Sequence, residues 1–511
     1  MHIMRKHRGH IGITRGIICG IGVLLQVVIT YVLARYMQEY WSWFYFTLEV
    51  ISIILVFQLV NDSESYKSFW IIIVLVLPVA GFFLYFMWGT KHTNSKSNRR
   101  IREVDAKGAK YRNQDKDVIQ EFSSIHRNKV QICRFLINEG FPLYKDTKVD
   151  YYDLGEKKLY ALIEDLRNAK EFIFLEYFII FDGEIWSTIK EILKEKVKEK
   201  LDVRLLIDDF GCIIINTPEF RKEMAASGIK LGVFAPIEKD LTRFTFNYRN
   251  HQKIAIIDGN IGYTGGVNIG DEYANLYKKF GHWKDTAVRL EGDGVWSLTT
   301  MFLQMWEITK GYGDADYSLY KPKISVEAKG YVQPLSDGPA NNPKNPAEGT
   351  YTHMINKARD YIYFTTPYLV LDGKMVDDLC RAAKSGVDVK IITPRVYDKW
   401  YVYMVTVSNY GILMENGVHI YEYVPGFIHS KTAVCDDECA ICGSINMDYR
   451  SFYLHYECGV FMSETPSVFE IKQDILDTLR QCEEIDYETW KNRPLQERFI
   501  QGVLKIFSPM L

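Results

Sequence analysis

Two stretches of this 511-residue chain decide its fold: HQKIAIIDGNIGYTGGVN, residues 251–268, and HSKTAVCDDECAICGSIN, residues 429–446. Each carries the same six positions at the same spacing, H-x-K-x4-D-x6-G-[GS]-x-N. The first supplies His251, Lys253, Asp258, Gly265, Gly266 and Asn268, the second His429, Lys431, Asp436, Gly443, Ser444 and Asn446. The runs IAIID and TAVCD read as strands, where residues i and i+2 share a face, so H-x-K is expected to turn a histidine and a lysine the same way. The Gly-Gly and Gly-Ser pairs would let backbone approach a bulky anion. One histidine in a strand means little, but two complete copies of a six-residue pattern do not arise by chance.

The surroundings repeat as well. A helical period over Gly155–Lys170 leads into EFIFLEYFII, Asp182-Gly183, a second helix and LDVRLLID. The same order returns with a helix near Thr352–Arg359, YIYFTTPYLV, Asp372-Gly373, a helix and VDVKIITP. Alternating strands and helices predict an α/β fold with a mainly parallel or mixed sheet in each half. Repetition at this length predicts a duplicated domain with pseudo-two-fold symmetry and a site shared between the halves. Expected boundaries are 141–325 and 326–511, preceded by a membrane region (1–92) and a basic juxtamembrane linker (93–140).

Three N-terminal runs suggest membrane spans. Gly16–Ala34 has nineteen uncharged residues, Trp41–Val60 is interrupted by Glu49, and Phe69–Gly89 has aromatic ends and Pro78, where a kink is expected. A charge at Glu49 in lipid is costly, so that residue should face another helix or stay protonated, in a functional or a structural part. Seven Lys/Arg in residues 91–110 place the body in the cytoplasm, while the basic N-terminus asks for the same side. Three crossings cannot satisfy both, so two or three segments span. The expectation is a multi-pass protein of the cell membrane.

Charge narrows the substrate. The whole chain has 62 basic and 64 acidic residues, net −2; residues 1–110 hold 13 and 6, net +7, which leaves −9 for the remainder. An acidic body is a poor partner for nucleic acid. Nine cysteines at irregular spacing suit a reduced compartment. Cys435, Cys439, Cys442 and Cys458 have spacings a zinc site tolerates, but the first and third sit directly before Asp436 and Gly443 of the motif, and no metal is expected.

The paired motif resembles the phospholipase D superfamily. Its setting, with an apolar N-terminus, NYRNHQKIAIIDG, GFIHSKTAVCDD, NIGDEY and NMDYRS, resembles bacterial cardiolipin synthases over essentially the whole chain. The resemblance implies two α/β/α sandwich halves, phosphatidyl transfer from one phosphatidylglycerol to another, a phosphohistidine intermediate and no cofactor. Residue chemistry agrees: a phosphodiester displacement needs a nucleophile, an acid on the opposite side and cations around the equatorial oxygens. His251, Lys253, Asp258, His429, Lys431 and Asp436 are the catalytic motif residues, with His251 favoured as nucleophile and His429 as acid. Asn268, Asn446 and Ser444 are expected around the phosphate. The resemblance gives the orienting role to Asp285 in GHWKDTAVRL and Glu457 in LHYECGV, leaving Asp258 and Asp436 structural, each paired within its own half. His455 stands near where the family more often has asparagine.

Lys399–Tyr410 is rich in large apolar residues and reads either as a buried helix or as a membrane-dipping surface beside the site. Water as acceptor would make the protein a phospholipase D. Other branches with this motif resemble phosphatidylserine synthases and nucleases, and a membrane scaffold with a dead site is the non-enzymatic alternative. Oligomeric state is left open.

Overall fold

The computed structural model describes residues 38–60, 67–85, 96–125, 130–237, 247–339 and 344–508, with eight isolated positions between 21 and 36. The chain divides into two compact units, one from residues 1–93 and 236–248, the other from 94–235 and 249–509.

In the first unit the described helices are Gln38–Val60, Lys67–Val76 and Pro78–Leu84. The second expected span is therefore helical, with Glu49 exposed. The third is broken at Leu77 (φ −125°, ψ 71°), because Pro78 has no N–H to continue the ladder and restricts the residue before it. Trp70 and Val74 pack inside, Trp70 against Tyr85 at 5.5 Å. Gly16–Ala34 lies largely outside the described residues. Among the described residues no helix is long and apolar enough to cross a membrane.

The second unit holds two sheets built to one plan. In the first, β1 (Thr147–Tyr152), β2 (Phe172–Tyr177), β3 (Asp202–Asp208), β4 (Lys230–Phe234), β5 (Lys253–Ile257), β6 (Ile261–Gly265) and β7 (Ala287–Gly292) lie in the order β1-β7-β6-β5-β2-β3-β4. In the second, β8 (Tyr331–Asp337), β9 (Tyr361–Thr365), β10 (Asp388–Pro394), β11 (His419–Tyr423), β12 (Thr432–Cys435), β13 (Cys439–Gly443), β14 (His455–Ser463) and β15 (Cys482–Glu484) lie in the order β8-β14-β13-β12-β9-β10-β11-β15. Apart from the added β15, strand for strand the orders coincide. In both, the β2-type strand runs parallel to the β3-type strand and antiparallel to the motif strand.

Alternation along the strands explains the layers. Phe172, Phe174, Ile254 and Ile256 enter the core that also holds Met301 and Phe302 of helix Val295–Lys310. Ile173, Leu175, Ala255 and Ile257 point the other way, into the core shared with Leu162 and Trp186 of helices Gly155–Asn168 and Glu184–Lys198. Helices thus cover both faces, the condition under which such apolar strands are stable. The halves meet through a repeated contact: Thr264 Oγ1 lies 3.1 Å from Cys458 Sγ, and Cys442 Sγ lies 3.9 Å from Thr286 Oγ1.

Residues 96–138, expected as a linker, form helices Lys96–Ala109, Lys116–Ile125 and Val130–Asn138. Phe122, Cys133 and Leu136 are fully buried, Lys107 pairs with Glu307 at 2.7 Å, and Trp296 Nε1 donates to the Tyr111 carbonyl at 2.7 Å. Narrow apolar stripes were hidden among the charges, and they bind this segment to the body.

Candidate active site

Each motif histidine stands at the mouth of its strand, not inside it. β5 starts at Lys253 and β12 at Thr432, one residue past Lys431. The residues leading into each histidine pair with the opposite half: Arg249–Asn250 runs parallel to His455–Tyr456, and Gly426–Ile428 runs parallel to His282–Lys284. His251 N then donates to Tyr456 O at 2.9 Å, and His429 N to Lys284 O at 2.7 Å. This crossed pairing brings both motifs to one place.

The side chains are crossed in the same way. His251 Nδ1 lies 2.9 and 3.0 Å from the two carboxylate oxygens of Glu457. His429 Nδ1 lies 2.6 Å from Asp285 Oδ2. Both acids are fully buried, and a carboxylate on Nδ1 fixes the tautomer that leaves Nε2 free for chemistry. The Lys253 and Lys431 amines are buried too, and each donates to the carbonyl of its own histidine.

Electrostatics follow from burial. His251 is held well below the usual histidine value by burial and then by Lys253 and Lys431. His429 is drawn down to about 4 by burial and Lys431, against the pull of Asp285. Burial lowers Lys253 to about 7 and Lys431 to about 8. Substrate-free, the site holds neutral imidazoles and only partly charged lysines, all able to take up protons when an anion arrives.

The two sides differ in detail. Ser444 Oγ donates to Glu457 Oε2 and Ser451 Oγ to Oε1 (2.8 Å), so Ser444 serves the acid and does not stand free for a phosphate. In the first half Gly266 takes the place of Ser444; a Cβ there would come within 2.1 Å of Asp285 Oδ1. Asn268 Oδ1 accepts from Ile179 N and its amide donates to Tyr273 Oη, both at 3.0 Å. Asn446 keeps a buried side-chain oxygen without a hydrogen-bond partner.

Asp258 and Asp436 are not with the histidines, which corrects their grouping with the catalytic residues. Asp258 closes the far end of β5, roughly 20 Å along the strand from His251. Its carboxylate accepts from the amides of Lys170, Glu171 and Phe172 at 2.7–3.0 Å; Asp436 does the same for Arg359, Asp360 and Tyr361 at 2.8–3.0 Å. Both sit in the left-handed region (φ +55° and +52°), where aspartate is tolerated. Each pins its motif hairpin to the start of the neighbouring strand, in its own half.

Sequence reasoning singled out His455 and passed over the other walls. Phe178 and His455 flank the His251 ring at 4.9 and 5.3 Å, and Trp283, Phe427 and Tyr273 surround His429 at 5.3, 5.8 and 6.0 Å. His282-Trp283 and Tyr449–Ser451 lie directly beside the acids and motifs, the one signal that pointed to them. Among the described residues one trio, His251, His455 and Glu457, places three potential metal ligands within 4.8 Å. The carboxylate of that trio is already engaged by His251, Ser444 and Ser451. Cys435 and Cys439 face each other across β12 and β13, while Cys442 and Cys458 turn to Thr286 and Thr264.

The chain matches the family described as cardiolipin synthase, PLD-like domain, over residues 162–279 and 351–479, and the phospholipase D-nuclease N-terminal family over 50–89. It is 34% identical to a cardiolipin synthase of Listeria monocytogenes over 86% of this chain and 93% of the other. It is 33% identical to a cardiolipin synthase of a Geobacillus species (90% and 92%) and 39% identical to an uncharacterized protein of Streptococcus mutans (89% and 99%). Among solved structures, phosphatidylserine synthase of Haemophilus influenzae superposes with a TM-score of 0.56 at 15% identity, over 74% of this chain and 97% of that one, a likeness of fold.

Proposed function

The chain belongs to the family of phospholipase D-like cardiolipin synthases, and from that premise we propose that it joins two phosphatidylglycerol molecules into cardiolipin and releases glycerol. The observation that carries this reading is the pair of buried histidines, each tied through Nδ1 to a carboxylate of the other half with a lysine beside it.

His429 takes up a proton as the anionic donor binds; His251 Nε2 then attacks phosphorus, the P–N bond forms as the bond to the glycerol oxygen breaks, and His429 gives that oxygen its proton. Its protonated ring is stabilised by Asp285, whose contact is the shorter of the two and which has no serine hydroxyl drawing on it. That contrast supports His429 as acid and His251 as nucleophile. The second lipid then gives a hydroxyl proton back to His429 and its oxygen to phosphorus, freeing His251. Lys253 and Lys431 hold the equatorial oxygens and recover full charge as the anion binds. Asp285 and Glu457 position the rings, Ser444 and Ser451 hold Glu457, and Asp258 and Asp436 keep the hairpins in place.

The protein works at the cytoplasmic face of the cell membrane, anchored through its first 92 residues, with halves at 141–325 and 326–511. Two surface features of the body support membrane seating. Helix Leu495–Ile506 exposes Leu495 (77%), Phe499 (73%), Val503 and Ile506, with Arg498 and Lys505 among them. It packs on helix Trp400–Glu415, which exposes Trp400 and Tyr401 at its start and is preceded by the exposed Tyr397. The Lys399–Tyr410 stretch is buried along Val402, Val405 and Tyr410, and its apolar, outward-facing start supports a membrane-dipping surface there.

The test is incubation of the purified protein with phosphatidylglycerol vesicles, followed by mass spectrometry of the lipids. Cardiolipin and glycerol in equal amounts are expected from the wild type and neither from His251→Ala. Phosphatidic acid in place of cardiolipin would make water the acceptor, and an unchanged lipid profile would overturn the reading.

A further inference from the structure

Transfer between two like lipids poses a problem that the motif does not solve: the second lipid must be seated so that its hydroxyl, and not water, reaches the phosphorus. Beyond the end of β10, just before helix Trp400–Glu415, stands a group that the steps above do not use. Asp398 Oδ2 accepts from Tyr368 Oη at 2.7 Å and pairs with Lys399, while Asp398 Oδ1 is buried and has no hydrogen-bond partner. Lys399 also donates to Tyr368 Oη at 2.8 Å and keeps 44% of its side chain exposed.

The group is carried to the site by the fold. Tyr368 precedes the short strand Leu369–Val370, which runs parallel to Met447–Asp448, the residues that follow Asn446 of the second motif. Asp398 contributes to the electrostatic environment of both His429 and Lys431, and Lys399 to that of His251. Burial works against the charge on Asp398, but Lys399 and Tyr368 outweigh it and hold the carboxyl below its usual range.

Buried polar atoms are rarely left unpaired, and among the few described carboxylates with an unpaired buried oxygen, with Glu176 and Asp378, Asp398 is the one that pairs with an exposed lysine. The unpaired oxygen, covered in the substrate-free protein, lacks a donor from within the chain, and a hydroxyl entering the site supplies one. Lys399, paired with Asp398 and Tyr368 and with 44% of its side chain exposed, has a third N–H to give to an anion. A vicinal diol esterified to phosphate meets both demands, and that is the headgroup of phosphatidylglycerol.

Resting on the transfer reading, we propose that Asp398, Tyr368 and Lys399 form the acceptor subsite: Asp398 Oδ1 accepts from the secondary hydroxyl of the acceptor glycerol, Lys399 faces the acceptor phosphodiester, and the primary hydroxyl is left opposite His429. In the step so arranged, the primary oxygen bonds to phosphorus as the P–N bond to His251 breaks. The hydroxyl proton passes to His429 and the electron pair returns to His251. Asp398 touches the acceptor alone, so it sets which alcohol is taken from a common intermediate.

The experiment supplies the full-length enzyme with phosphatidylglycerol vesicles and two soluble acceptors at equal concentration, deuterated glycerol and 1-propanol. The ratio of labelled phosphatidylglycerol to phosphatidylpropanol is read by mass spectrometry. Because both products draw on one intermediate, the ratio does not depend on how fast that intermediate forms. Wild type is expected to favour glycerol. Asp398→Asn is expected to lower that preference about tenfold and raise the share of phosphatidic acid, since a site built to hydrogen-bond a hydroxyl discriminates against an alcohol lacking it. Tyr368→Phe, which keeps the ring, is expected to shift the ratio in the same direction and serves if Asp398→Asn does not fold. An unchanged ratio in the folded variant, beside a wild type that makes cardiolipin, overturns the subsite; a wild type that makes no cardiolipin overturns the transfer reading instead.

Discussion

His251 of the first half is bonded through Nδ1 to Glu457 of the second, at 2.9 and 3.0 Å across 206 residues of sequence. The return contact, His429 to Asp285 at 2.6 Å, spans 144 residues in the same crossed sense. Neither motif histidine takes its carboxylate from its own half, so activity and the docking of the halves are one property.

Glu457→Gln keeps the size of the side chain but removes the charge that stabilises the imidazolium and fixes its tautomer. Cardiolipin formation by the folded variant is expected to fall by about 10²–10⁴-fold, measured as initial rate at saturating lipid. A loss below threefold would mean that the contact is structural only.

Asp258→Asn and Asp436→Asn remove a charge from a carboxylate that accepts from backbone amides far from the histidines. Each is expected to cost roughly 1.5–3 kcal/mol of stability, read as a lowered unfolding midpoint, while specific activity per folded molecule stays within a few-fold. A large drop in that specific activity at unchanged midpoint would return these residues to the chemistry.

The division of labour between the histidines can be separated by the leaving group. With a p-nitrophenyl ester of phosphatidic acid, whose leaving group needs no proton, His429→Ala is expected to form and accumulate a phosphatidyl-protein adduct. His251→Ala is expected to form none. The adduct is read by mass spectrometry of the denatured protein, and its appearance in His251→Ala would exchange the two roles.

Substrate-free Lys253 and Lys431 titrate at about 7 and about 8, lowered by burial, so at pH 8.5 both are largely neutral. A bound phosphodiester favours the charged forms and raises both values. Calorimetric titration with a soluble short-chain phosphatidylglycerol, in buffers of different ionisation enthalpy at pH 8.5, is therefore expected to show net uptake of about one proton or more per site. Affinity should weaken as pH rises through 8. Proton release on binding would contradict the sign of both shifts.

Exposed Leu495 and Phe499 lie one turn apart on helix Leu495–Ile506. Leu495→Glu with Phe499→Glu is expected to reduce vesicle association of the body and raise the apparent KM for vesicle lipid several-fold. Turnover of a soluble short-chain lipid is expected to hold. Equal loss on both substrates would place the effect in folding.

Much of this was written along the chain. The apolar strands, the duplicated order and the six-residue motif all rest on neighbours in sequence, and a strand's alternation is fixed by its own residues whatever packs on it. The hairpin aspartates belong to the same class, because the turn that carries Asp258 is local and the amides it meets open the next strand of its own sheet. The helices of residues 96–138 were missed for the converse reason. Their buried stripes are too narrow to stand out among charges, and only the body they pack on makes them core. The choice of which acid serves which histidine depends on surfaces meeting across the pseudo-dyad, while the turning of Ser444 from phosphate to Glu457 and the unpaired oxygen of Asp398 are set by packing within the second half. Spacing cannot encode such contacts, since they are set by how distant segments, and the two folded halves, pack together and not by the repeat of a single backbone.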